Sequence, residues 1–133
     1  MKRLGSALLV VGAIVTSWSF AQAADTAPAG MPWFFQGMPD AAQQAAWDLN
    51  KAIYGADTAI PKKYQQLIAL AVAAQIRCLY CIYAHTIGAQ KNGATPEEIR
   101  EAVGVASIVR MWSTNVQGNK IDLDKFKATI DGK

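Results

Sequence analysis

Apolar residues recur along this chain at steps of three and four, and no run alternates with a strand's period of two. That pattern predicts helices. Pro39-Asp40 opens the first, with proline at an early position where its missing N–H costs nothing. Ala42, Ala45, Ala46, Leu49, Ala52 and Ile53 carry its period, and Gly55 is its stop. A second helix starts at Ile60-Pro61 and runs to about Gln75. Tyr64, Leu67, Ile68, Leu70, Ala71 and Val72 make most of its circumference apolar, so it is expected to be the central, buried helix. The third begins near Arg77 or Cys78 and ends at Asn92-Gly93, a C-terminal glycine stop. Thr95-Pro96-Glu97-Glu98 is a capping box that starts the fourth, with Thr95 as cap and Glu98 reaching back. The apolar period continues from Ile99 through Val109 toward Val116, with Gly118 as the expected end. A short last helix is predicted from about Asp122 to Ile130. The expected fold class is all-α, in one domain, with no internal repeat.

The N-terminus follows different rules. Met1-Lys2-Arg3 is a short positive start, Leu4 to Phe20 carries no charge, and Ala21-Gln22-Ala23 offers small residues where a signal peptidase reads. This is the pattern of a secretory signal peptide over residues 1–23, cleaved after Ala23. An uncleaved anchor is the rival reading. Gly5, Ser6 and Gly12 dilute the stretch, which is marginal for a full span. A mature chain from Ala24 to Lys133 has 110 residues, and losing Lys2 and Arg3 takes the net charge from +3 to +1. The mature part shows no basic run interleaved with aromatics, which argues against nucleic acid. It shows no polybasic amphipathic face, which argues against a membrane partner once the signal is gone. The expected location is periplasmic or secreted. Residues 24–38 form an arm rich in Ala, Pro and Gly, and Met31, Trp33, Phe34, Phe35 and Met38 make it too apolar for a solvated linker. It is expected to dock on its own domain, residues 39–133, or on a neighbouring subunit.

Candidate chemistry concentrates in the third helix. Cys78 to Cys81 is a step of three and Cys81 to His85 a step of four, so all three side chains fall on one stripe. These are the only two cysteines and the only histidine. A bridge across three residues closes a loop too small to constrain the unfolded chain much, so the spacing suits chemistry better than stapling. One thiol attacks, a second resolves the product as a disulfide, and an imidazole moves the proton. Unpaired N–H groups at the helix start, and the adjacent Arg77, favour the thiolate. Haem attachment needs a histidine directly after the second cysteine, and Ile82 stands there. Zinc is a fair rival, although a closed site wants four ligands. An inert structural pair is a third reading.

The stretch Leu67 to His85, LIALAVAAQIRCLYCIYAH, followed by GATPEEIREAV from Gly93, resembles the carboxymuconolactone decarboxylase and alkylhydroperoxidase-like (AhpD-like) family. The likeness covers about residues 61–106, with weaker support to Gly118, and C-x-x-C-x-x-x-H marks its alkylhydroperoxidase-like branch. The resemblance implies an all-α fold built on an antiparallel helical hairpin, and a homo-oligomer, trimer or hexamer, with no cofactor. It implies Cys81 as the peroxidatic thiol, Cys78 as the resolving one and His85 in a proton relay. The family's relay glutamate, twelve residues before the first cysteine, is here Gln66, which cannot accept a proton. Tyr80 stands where some members carry a histidine; Tyr80 and Tyr83 either hydrogen-bond near the site or pack a helix interface.

The expected function is therefore an exported thiol oxidoreductase that reduces hydroperoxides through a Cys78/Cys81 cycle, with an unidentified reductant. Because an oxidising compartment holds such pairs as disulfides, the alternatives are exchange with a protein disulfide or redox sensing. A metal-binding or structural oligomer is a further reading, and a lyase role rests on the family name alone.

Overall fold

A computed structural model describes residues 30–55 and 58–133. The expectations for the signal peptide, and for the arm up to residue 29, lie outside the described residues. Among the described residues, five α-helices follow a short 3-10 helix at Trp33–Gly37: α1 (Asp40–Tyr54), α2 (Lys62–Ile76), α3 (Leu79–Lys91), α4 (Pro96–Gly118) and α5 (Leu123–Ile130). No strand occurs among the described residues, so the all-α expectation holds.

α2 and α3 form the helical hairpin, and α4 packs along α2. The packing surfaces carry small residues: Ala73 on α2, Ala89 on α3 and Ala106 on α4 are buried. Small side chains at a contact let helix axes approach closely. Leu70 is the one large side chain sealed almost completely, at 2% exposure. Two polar ties join α2 to the fourth helix. Lys63 pairs with Glu98 at 2.7 Å, and the Gln75 carboxamide donates to the Ala106 carbonyl at 2.6 Å.

α2 is central but not buried all round. Tyr64, Ile68, Val72 and Ile76 are about half exposed or more. Of these, Ile68, Val72 and Ile76 open onto the cavity described below. The arm docks partly on its own domain: Phe35 meets Trp47 of α1 edge to face, with ring centroids 5.3 Å apart, while Trp33 and Phe34 remain exposed.

Helix ends follow local chemistry, and α2 and α4 stop within a residue of where the sequence places them. The capping box is complete: the Glu98 N–H donates to Thr95 Oγ1 at 3.1 Å, and the Thr95 N–H donates to Glu98 Oε2 at 2.8 Å. Gly93 takes φ 83 after α3, and the Ala94 N–H reaches back to the Ala89 carbonyl at 2.9 Å. This is a Schellman closure. α2 ends in the same way without a glycine. Arg77 adopts the left-handed conformation, φ 56 and ψ 37, and the Cys78 N–H bonds to the Ala73 carbonyl at 3.1 Å. α4 runs through Gly118, and it is Lys120 that takes the positive φ.

Candidate active site

The tight reversal at Arg77 sets up the site. It places Cys78 directly before α3 in extended backbone, φ −85 and ψ 97, as the N-cap residue. Cys78, the first member of the expected stripe, therefore stands at the lip of the helix and not inside it, while Cys81 and His85 lie on the helix. Its sulfur accepts the Cys81 N–H at 3.2 Å. An N–H aimed at sulfur from a helix N-terminus stabilises a thiolate once the pair is reduced. In this structure Cys78 and Cys81 form a disulfide, with Cα atoms 5.2 Å apart.

His85 lies one turn further along α3 and is partly buried. Gln66 of α2 reaches it across the hairpin: Gln66 Oε1 is 2.8 Å from His85 Nδ1. A carboxamide oxygen only accepts, so Nδ1 carries the proton and donates. Nε2 has no hydrogen-bond partner among the described residues. Burial holds the His85 pKa below its ordinary value, so the neutral ring prevails at pH 7. Tyr54, the last residue of α1, stacks on the imidazole with centroids 5.9 Å apart and planes 26° from parallel.

Cys81 and His85 both line a cavity of about 680 Å³, within the ordinary range for small-molecule sites. Ile53 and Tyr54 from α1, Ile60 from the connection, and Ile68, Val72 and Ile76 from α2 form its apolar walls. Among the described residues, no Lys, Arg, Asp or Glu lines it. Gln66 stands behind His85, outside the lining. Tyr80 is 90% exposed and Tyr83 is exposed, both away from the cavity. Among the described residues, no three His, Cys, Asp or Glu side chains converge as a metal site.

The arrangement is a disulfide at a helix N-terminus, with a neutral imidazole beside it on an apolar wall. The profile of the carboxymuconolactone decarboxylase family matches residues 40–117, which takes in α1 to α4 and all of this geometry. The chain belongs to that family. Among curated relatives, this family member is similar to "Uncharacterized protein 4 in cox locus" of Paracoccus denitrificans, with 43% identity over 72 residues. The alignment covers 54% of this chain and 64% of that relative. No solved structure matches it. Among the described residues, no helix is long and apolar enough to cross a membrane.

Two residues near the site escaped the sequence reading. Tyr54 had no signal beyond its place before Gly55. Gly88 had a weak one: it is a glycine in the interior of a helix, where alanine is the better helix former.

Proposed function

We propose that this chain reduces organic hydroperoxides by cycling Cys81 and Cys78 between dithiol and disulfide. The observation that carries the reading is that Cys81 and His85 share the wall of a largely apolar cavity while Cys78 is bonded to Cys81. In the reduced form, His85 Nε2 takes the proton of the Cys81 thiol. The thiolate attacks the outer oxygen of ROOH, the O–O bond breaks, and His85 returns the proton to the departing alkoxide. The products are ROH and a Cys81 sulfenic acid. The Cys78 thiolate then attacks the Cys81 sulfur, and hydroxide leaves as water with the thiol's proton, forming the disulfide. A dithiol donor restores the pair with two electrons and two protons. The apolar walls favour an organic R group over hydrogen peroxide.

To test it, hydroperoxide loss is followed with a dithiol donor in excess. The parent is expected to turn over and Cys81→Ser to be inactive. A Cys81→Ser variant as fast as the parent ends the assignment.

One observation favours a second reading. Cys78 accepts the helix N-terminal N–H and lies outside the cavity, next to exposed Leu79 and Tyr80. That placement suits exchange with a protein disulfide, in which Cys78 attacks. Fast exchange with negligible hydroperoxide turnover selects it.

Export and assembly belong to the same proposal. The residue 1–23 pattern puts the activity in the periplasm or outside the cell, where the pair needs a dedicated reductant. Val105, Ile108, Val109, Met111 and Trp112 of α4 are more than half exposed, an apolar patch of the kind that marks an interface. Its occupant in this reading is a second copy of the chain, in a homo-oligomer. Sedimentation at two concentrations distinguishes this from a monomer.

A further inference from the structure

Gly88 lies one turn after His85 on α3, facing α2. Its backbone is ordinary helix, so conformation does not demand a glycine. The space does. A Cβ built on Gly88 would fall 2.8 Å from Gln66 Cδ and 3.3 Å from Cγ, and nearer still to Oε1. No other residue's atoms come within the three closest contacts. Oε1 is the same Gln66 atom that meets His85 Nδ1 at 2.8 Å.

We infer that Gly88 is a positioning residue: its missing Cβ is the gap through which the Gln66 carboxamide reaches His85 and holds the ring as the Nδ1–H tautomer, with Nε2 open as the base. This rests on the role given to His85 in the hydroperoxide cycle. The obstructed atoms are the far end of a flexible side chain. A methyl group at position 88 therefore displaces Gln66 and leaves α3 in place. Alanine is also the better helix former, so Gly88→Ala is expected to melt no lower than the parent. The effect on chemistry follows through the ring. Once Gln66 is displaced, nothing selects Nδ1–H, and tautomers carrying the proton on Nε2 present a donor where the cycle needs an acceptor.

The chain has one histidine, so its two imidazole nitrogens can be read without assignment. Long-range ¹H–¹⁵N spectra of the purified protein in its disulfide form, above the pH at which His85 titrates, report which nitrogen is protonated. The parent is expected to show a pyrrole-type Nδ1 and a pyridine-type Nε2. Gly88→Ala and Gln66→Leu should each lose that pattern, with the two resonances moving toward exchange-averaged positions. In the Gln66→Leu background, Gly88→Ala should add no further shift, because it acts through the carboxamide. Hydroperoxide turnover should fall by the same factor in the two single variants. A Gly88→Ala protein that keeps the parent's nitrogen pattern overturns the inference. So does a Gly88→Ala shift that persists in the Gln66→Leu background. The spectra need no turnover: a pattern that behaves as stated in a protein without hydroperoxide activity upholds the positioning and removes the proposed reaction.

Discussion

Changing Gln66 to glutamate replaces a neutral acceptor by a charged one of the same shape, 2.8 Å from His85 Nδ1. Burial alone lowers the His85 pKa in the parent, and among the described residues no charged side chain lines the cavity to offset it. With charge centres about 4 Å apart and an effective dielectric constant of about 20, the new attraction is on the order of 4 kcal/mol. Burying part of a carboxylate subtracts from this, as does screening at a partly exposed ring. A close opposite charge commonly moves a pKa by about 1–3 units, and one unit corresponds to about 1.4 kcal/mol. His85 in Gln66→Glu is therefore expected to titrate about 1–3 units higher than in the parent. The single histidine makes an NMR titration a one-curve measurement. The sign of the stability dependence reverses once the folded value passes the unfolded one. In the parent, folding favours the neutral ring, so stability falls as pH drops below about 6.5, the unfolded value. In the variant, the added stability is complete below that value and is lost as pH rises through the raised folded pKa. A shift under about half a unit, well short of the usual range, would refute the contact between Gln66 and the ring.

The remaining predictions concern the frame. Leu70→Ala empties a site that is 2% exposed and should cost about 2–5 kcal/mol by chemical denaturation; a loss below about 1 kcal/mol would mean that the side chains around it repack. Thr95→Ala removes the cap that accepts the Glu98 N–H and should cost about 1 kcal/mol, measured in the same way. The Lys63 ammonium first, and the Thr95 N–H second, hold Glu98 below its ordinary pKa. Its contribution is therefore present above the unfolded value and lost as pH falls through the folded one. Glu98→Gln should flatten the acid limb of the stability profile, and an unchanged limb would contradict the pairing.

Where a feature depends on near neighbours in sequence, it was legible. The capping box at Thr95 and the Gly93 closure rest on bonds within six residues, and both are present in the structure. The spacing of Cys78, Cys81 and His85 was legible for the same reason. Where a feature depends on two helices meeting, it was not. The apolar residues of α2 predicted burial all round, but Ile68, Val72 and Ile76 face an open cavity, because periodicity does not reveal which face finds a neighbour. Tyr54 over His85, and the gap at Gly88, exist only through tertiary approach. Gln66 was singled out by family resemblance, and its bond to Nδ1 required the hairpin. The ends of α2 and α4 were legible to within a residue, but the left-handed turns at Arg77 and Lys120 that close them were not, because that position usually falls to glycine.

The central claim is that Cys81 is the atom-transfer site. Its most direct test is to treat reduced Cys78→Ser protein with one equivalent of an organic hydroperoxide and analyse the cysteine by mass spectrometry with a sulfenic-acid trap. Without its resolving partner, Cys81 is expected to retain one oxygen and form the trapped adduct, while one equivalent of alcohol appears. A Cys81 that stays a thiol while the hydroperoxide persists would contradict the account.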